Sequence, residues 1–152
     1  MKDFLIPVFT FLAGLLGGLW PHVQKPLTDY RKALSDISAI IIANARLMWG
    51  RSWDRYASIN KTEEANENLM KFSTKLRELQ ARLLSSSSTI PRFARGTLRT
   101  VGLLRSPKQI EEGAKMLVGI SNQLISPDKD PQHLDELVKR LGIALDINVG
   151  DS

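Results

Sequence analysis

The chain begins with an apolar run that limits which folds are open to it. From Phe4 to Trp20 there are 17 consecutive residues without a charge. As a helix that rises about 1.5 Å per residue, this run covers roughly 25 Å, slightly less than the ~30 Å hydrocarbon core of a bilayer. We expect it to form a single transmembrane helix, with local thinning of the bilayer or flanking residues making up the difference.

Two other structures are open to the apolar run. A cleavable signal peptide needs a positively charged start and a cleavage site with small residues. Here Asp3 offsets Lys2, and the run ends in Leu19, Trp20 and Pro21, which is a poor cleavage site. An apolar helix that is buried in a bundle or lies at an interface is the closer competitor, because a length of 17 residues does not exclude it.

Residues in and beside the apolar run suggest how it would sit in a membrane. Trp20 and Lys25 are predicted to lie at the membrane interface, where an aromatic ring or a long basic side chain is stable. Gly14 and Gly18 form a G-x-x-x-G pair, which permits a second transmembrane helix to approach closely. Small residues are also common in such helices without any partner, so both interpretations stay open.

Positive charge near the run predicts its orientation. Lys25, Arg31 and Lys32 follow it, whereas only Lys2 and the amino terminus precede it. Basic residues concentrate on the cytoplasmic side of membrane helices. The prediction is a single-pass protein of the plasma (inner) membrane whose body faces the cytoplasm.

The remainder of the chain has helical periodicity and no alternating strand pattern of useful length. A first helical pattern starts after Pro21 and Pro26 and ends near Trp49 and Trp53, which we expect at the corner of a hairpin. The next helix has Thr62 as its predicted N-cap. Its apolar residues follow in steps of four and three: Ala65, Leu69, Phe72, Leu76, Leu79 and Leu83. We predict an antiparallel hairpin of these two helices, with a coiled-coil dimer as the alternative.

Start and stop residues mark the other helices. The serine run 85–88 and Pro91 are expected to end the second helix. Ser106 precedes a proline and has a glutamine three residues later, which is typical of a capping box, and Asp130 also precedes a proline. Gly142 is expected to end the last helix.

These patterns together predict an all-α fold with one transmembrane helix at its N-terminus and a bundle of about four helices after it. The expected organisation is a membrane anchor over residues 1–25, a helical bundle domain over 26–146 and a disordered tail over 147–152. The chain length permits one core and not two ordinary domains.

Positive charge is concentrated between residues 89 and 108. This segment contains no acidic residue and five basic ones, namely Arg92, Arg95, Arg99, Arg105 and Lys108. On a helix the first three lie within about 60° of one another, while Phe93, Leu98, Val101 and Leu103 supply apolar surface. We predict that the five bases contact anionic lipid, each adding about 1 kcal/mol near the surface. The alternatives are a connecting helix with a solvated basic face and, less favoured, a nucleic-acid contact.

The chain has no residues that suggest an enzyme. It contains no cysteine and two histidines far apart in sequence, His22 and His133, so thiol chemistry is excluded and a histidine-based metal site is not expected. Its paired glutamates stand at helix starts, where the helix dipole stabilises them without catalysis. No catalytic, cofactor-binding or metal-binding residue is predicted.

The function that these features predict is a non-catalytic one. The protein is expected to be a membrane-anchored helical module, a scaffold, adaptor or regulator that presents a protein-interaction surface at the cytoplasmic face. Its expected partners are the lipid bilayer and an unidentified protein, including a second copy of itself, and not nucleic acid. The alternative is a small membrane-active toxin, holin-like or pore-forming component that oligomerises through Gly14 and Gly18.

Overall fold

The computed structural model describes residues 2–45, 48, 63–126 and 130–150, of which 2–16 and 63–65 are described by their backbone alone. Over these residues the chain forms five α-helices and no strand, which confirms the all-α prediction. The helices are α1 (Lys2–Ala43), α2 (Glu63–Thr89), α3 (Arg92–Thr100), α4 (Pro107–Ile125) and α5 (Pro131–Leu145). The predicted N-cap Thr62 and the predicted corner at Trp49 and Trp53 lie outside the described residues.

Helix α1 is a continuous helix of 42 residues that contains both Pro21 and Pro26. The expectation that a separate helical pattern starts after the prolines is therefore wrong. A proline inside a helix removes one hydrogen bond and crowds the preceding turn. Val23 and Leu27, on either side of Pro26, are both buried, and their packing offsets this cost.

The C-terminal half of α1 packs against α2 as an antiparallel hairpin. The fully buried residues Tyr30, Ile37 and Ile41 lie on one face of α1. Asp36 pairs with Arg82 of α2 at 2.9 Å. Tyr30, nearer the N-terminus, meets Arg105, which lies beyond the end of α2. The two helices therefore run in opposite directions, as predicted.

Helix α2 continues through the serine run that was expected to help end it. Ser86, Ser87 and Ser88 donate their hydroxyl hydrogens to the carbonyl oxygens three residues earlier, at distances of 3.2, 2.9 and 2.8 Å. Serine side chains bonded in this way leave the helix backbone intact. The helix ends at Thr89, directly before Ile90 and Pro91.

The predicted starts of α4 and α5 are confirmed. The Ser106 hydroxyl accepts a hydrogen bond from the Gln109 backbone, and the Gln109 side chain accepts one from the Ser106 backbone. Asp130 accepts hydrogen bonds from the first turn of α5. The expected end at Gly142 is wrong, because α5 runs to Leu145 and the left-handed Asp146 (φ 51°) ends it. Burial of Leu145 in the core stabilises this last turn.

Contacts on both sides fix how α4 sits between its neighbours. The hydroxyls of Ser73 on α2 and Ser121 on α4 are 2.7 Å apart inside the interface, and Arg77 donates to Ser121 at 3.0 Å. On its other side, α4 places Gly113 against Leu145 of α5. Residues of α1, α2, α4 and α5 share one hydrophobic core.

Residues 147–150, which were predicted to belong to a disordered tail, lie along α1. Ile147 and Val149 are half-buried against the core. The Ser38 hydroxyl of α1 donates to the backbone carbonyl of Asn148. This segment therefore covers part of α1 that α2 leaves open, while residues 151 and 152 lie outside the described part of the chain.

The described residues do not support the predicted transmembrane helix. Among them, no helix is both sufficiently long and sufficiently apolar to cross a bilayer. The side chains of residues 2–16, which form most of the apolar run, are not among those described.

Candidate functional site

One end of the bundle brings together the two segments that the sequence analysis singled out. Because α1 and α2 are antiparallel and Asp36 is level with Arg82, α1 residues that precede about Tyr30 extend beyond the end of α2. Helix α3 and the connection 101–106 lie at this same end, since the Arg105 backbone N–H donates to the Tyr30 hydroxyl at 3.4 Å. We call this region the leader end: α3, residues 101–106 and the part of α1 before Tyr30.

At the leader end, α1 passes from an exposed stretch into the core. Gly17, Gly18 and Trp20 are exposed, with 56% of Trp20 accessible to solvent, whereas burial in the core begins at Val23. Lys25 is exposed as well. Both predicted interface residues, Trp20 and Lys25, are therefore accessible close to the point where α1 enters the bundle.

The structure describes the surroundings of Gly18, one of the two glycines that were predicted to pack against another membrane helix. A Cβ atom built on Gly18 meets no other atom within 4 Å, and the same holds for Gly17. This face of α1 is therefore open within the described part of the chain. The surroundings of Gly14 lie outside it.

Three of the five predicted basic residues are exposed and have no ion-pair partner within the described part of the chain. Arg92, Arg99 and Lys108 are exposed, and none of them forms an ion pair with another residue that the structure describes. Arg92 and Arg99 lie two turns apart on α3. Their charges are available to a partner outside the chain.

Arg95, in contrast, is bound to the end of α2. Its Nε donates to the carbonyl oxygen of Ile90 and its Nη2 to that of Ser88, both at 2.8 Å. A cation beside the last carbonyls of a helix is favoured by the helix dipole. Arg95 therefore fixes α3 on α2 and contributes less to the free positive surface.

Arg105 also has partners within the chain. Its guanidinium pairs with Asp146, the residue that ends α5. Its backbone meets the buried Tyr30 hydroxyl. Burial raises the pKa of Tyr30, and the hydrogen bond and charge of Arg105 act in the opposite direction. Arg105 thus connects the α3–α4 connection to α1 and to α5.

The apolar residues predicted for this segment divide between core and solvent. Leu98 is buried, whereas 62% of Phe93 and 59% of Val101 are accessible, and Leu103 is exposed to a smaller extent. A Schellman motif ends α3: the backbone N–H of Gly102 donates to Arg99 O and that of Leu103 to Leu98 O. Gly102 occupies the left-handed conformation (φ 75°) that this motif requires.

The surface carboxylates have simple structural roles. Lys71 lowers the pKa of Glu67 by a hydrogen bond and by its charge, and Lys115 lowers that of Glu111 in the same way. These are exposed pairs one helical turn apart. Within the described residues, histidine, aspartate and glutamate form no group of three that could hold a metal ion.

Sequence reasoning missed the partners of the basic segment. Tyr30 and Asp146 lie 75 and 41 residues from Arg105, and no local pattern marks such distant contacts.

Comparisons with protein-family models, with curated proteins and with solved structures gave no match.

Proposed function

We propose that the protein is a non-catalytic helical module anchored in the plasma (inner) membrane by a single crossing of its apolar N-terminal segment. The body lies on the cytoplasmic side and acts as a scaffold, adaptor or regulator through a protein-interaction surface. Arg92, Arg99 and Lys108 hold the body on anionic headgroups. The protein partner is unidentified, and a second copy of the chain is included.

The observation that carries this proposal is the position of the leader end. The exposed part of α1 and the free basic residues of α3 lie at one end of the bundle. A membrane entered by the apolar segment Phe4–Trp20 would therefore face α3. Had the basic residues been at the opposite end, an anchor at the N-terminus could not have brought them to lipid.

Magnitudes favour an auxiliary role for the basic residues. Three free bases near an anionic surface contribute roughly 3 kcal/mol together, at about 1 kcal/mol each. This is too little to retain a protein at a membrane, where stable anchoring takes two attachments. It suffices to orient a body that is already tethered, because a tether makes the second contact intramolecular.

The opposite end of the bundle would remain accessible to a partner. Met70, on the outer face of α2, has 65% of its surface exposed beside Lys71 and Lys75. It precedes Thr89 by about five turns, or roughly 28 Å of helix. A protein bound there would not compete with lipid at the leader end.

The test uses the full chain and two charge-reversal variants with equal net charge. One variant carries Arg92→Glu, Arg99→Glu and Lys108→Glu. The control carries Lys75→Glu, Lys115→Glu and Lys139→Glu, which are exposed on other faces. Membrane retention after a carbonate wash measures the anchor. Hydrogen exchange of α3 in nanodiscs, with and without phosphatidylglycerol, measures the headgroup contact.

We expect all three proteins to stay with the membrane. Phosphatidylglycerol should slow exchange in α3 of the wild type and of the control, and not in the variant with Arg92→Glu, Arg99→Glu and Lys108→Glu. Recovery of the wild type in the carbonate supernatant would contradict the anchor. Equal protection of α3 in all three proteins would contradict the headgroup contact.

One observation favours the alternative of a pore-forming component. The face of α1 that carries Gly17 and Gly18 is open, as an oligomerising helix would require. Purified full-length protein added to dye-loaded vesicles distinguishes the two functions. Dye release that Gly18→Leu abolishes would favour the pore, whereas intact vesicles with bound protein favour the scaffold.

A further inference from the structure

Helix α3 exposes apolar side chains directly beside its free arginines. Phe93 and Val101 are among the most exposed large apolar residues of the described chain, at 62% and 59%. Both stand at the leader end, next to Arg92 and Arg99. Basic residues explain attraction to a charged surface, but they do not explain why an aromatic and a β-branched side chain are left in water there.

The positions around the axis of α3 place the free arginines and Phe93 around Gly96. At about 100° per residue, Ala94 and Leu98 face the core and Gly96 lies on the opposite side. Arg92 and Arg99 lie on one flank of Gly96, and Phe93 lies on the other. A Cβ atom at Gly96 meets nothing within 4 Å. A flat surface can therefore approach the backbone at Gly96 with bases on one side and a ring on the other.

The structure holds this arrangement in place before any partner arrives. The N-terminal end of α3 is fixed by Arg95, which donates to the carbonyl oxygens of Ser88 in α2 and of Ile90 just after it. The C-terminal end is fixed by the Schellman motif and by Leu104, which is buried. Val101 is therefore presented on a fixed turn. A surface that is already ordered loses less conformational entropy when it binds.

We propose that Phe93 and Val101 insert between the lipids of an anionic bilayer, at the level of the headgroup and acyl-chain boundary. This inference rests on the proposed function, because the apolar segment of α1 places the leader end against the bilayer. The bases contact lipid phosphates while the two apolar side chains enter below them. Amphipathic helices with basic and aromatic residues bind membrane interfaces in this way.

The experiment uses single labels on the full chain, which contains no cysteine. Phe93→Cys, Val101→Cys and Met70→Cys are each labelled with an environment-sensitive fluorophore. Met70 is the matched control, since it is equally exposed but lies near the other end of α2. Each protein is reconstituted into vesicles of phosphatidylcholine with phosphatidylglycerol, with lipids that carry a quencher at a shallow acyl position.

Insertion predicts that labels at 93 and 101 shift to shorter emission wavelength and lose at least half of their intensity to the quencher. The label at 70 should keep the emission of a solvated fluorophore. Quenching at 93 and 101 no stronger than at 70 would overturn the inference. If α3 is nevertheless protected from exchange by phosphatidylglycerol, the proposed function stands and insertion alone fails.

A second measurement needs no label, so the wild type with its native Phe93 and Val101 serves as the reference. Phe93→Ser with Val101→Ser is compared with Met70→Ser for exchange of α3 in the same vesicles. Insertion predicts that the double variant loses most of the protection that lipid confers, whereas Met70→Ser retains it. Unchanged protection in the double variant would overturn the inference. Recovery of the wild type in the carbonate supernatant would overturn both insertion and the proposed function.

Discussion

The two halves of α1 belong to one helix and yet meet different surroundings. Between Val23 and Ile41 the buried residues recur every third or fourth position, and charged residues such as Asp36 occupy the other faces. Before Val23 the structure describes the side chains of residues 17–22, and these are largely exposed. In the second half of α1, burial therefore follows the helical spacing of the apolar residues.

Charge within the apolar half should have the largest effect. Leu12→Asp with Leu15→Asp places two carboxylates inside the proposed crossing, at a cost of about 2.5–3.5 kcal/mol each near its centre. We expect the protein to move from the membrane pellet to the supernatant, while the unfolding temperature of the bundle stays the same. Retention of the double variant would show that the two halves do not differ as we propose.

A truncation within the buried half should act on stability. Ile37→Ala removes a fully buried side chain from the core and should lower the free energy of unfolding by about 2–5 kcal/mol. Trp20→Ala, in the exposed half, should change it by less than about 0.5 kcal/mol. Urea denaturation in detergent measures the free energy of unfolding of both variants. Equal decreases would contradict the claim that only the second half of α1 contributes to the core.

Gly113 and Gly18 have opposite surroundings, one crowded in the core and one open on α1. A Cβ atom at Gly113 would lie 2.5 Å from Leu145 Cδ2, whereas one at Gly18 meets nothing. Gly113→Ala should destabilise the bundle by about 1–2 kcal/mol, because crowding in the core exceeds the gain in helix propensity. Gly18→Ala should be neutral or stabilising in thermal unfolding. A stabilising Gly113→Ala would mean that Leu145 can move aside.

The smallest expected effect is a pH dependence at Tyr30. Its pKa is raised by burial in the folded protein, so the unfolded chain releases this proton first. The stabilisation linked to the neutral phenol is complete below the unfolded pKa of about 10 and is lost as pH rises through the folded pKa. Tyr30→Phe should show a weaker fall in stability over this range, as measured by urea denaturation at several pH values. An identical fall would exclude Tyr30 as its source.

Local rules predicted much of the fold. The capping residues Ser106 and Asp130 and the periodicity of α2 were sufficient to locate three helices. The errors arose where distant contacts overrode local preference. Prolines suggested a break in α1, but packing of Val23 and Leu27 keeps it continuous. Gly142 suggested an end of α5, but the buried Leu145 extends it.

The sequence predicted the candidate site as a basic segment, but it did not predict which of the basic side chains pair within the chain. Composition located the five bases, but which of them are paired within the chain depends on the three-dimensional arrangement of the helices. Arg95 is bound by carbonyls at the end of α2, and Arg105 by Asp146. The Arg95 contact depends on the angle at which α3 turns back on the end of α2, and the Arg105 contact depends on where α5 ends, so composition alone predicts neither.

The continuity of α1 through its prolines has a mechanical consequence. If the apolar segment crosses a bilayer as proposed, its tilt is transmitted to the whole body, because α1 has no flexible linker between this segment and the bundle. Bilayer thickness, which sets the tilt of an embedded helix, would then determine how closely α3 approaches the lipid. The angle between the body and the membrane plane would thus change with bilayer thickness.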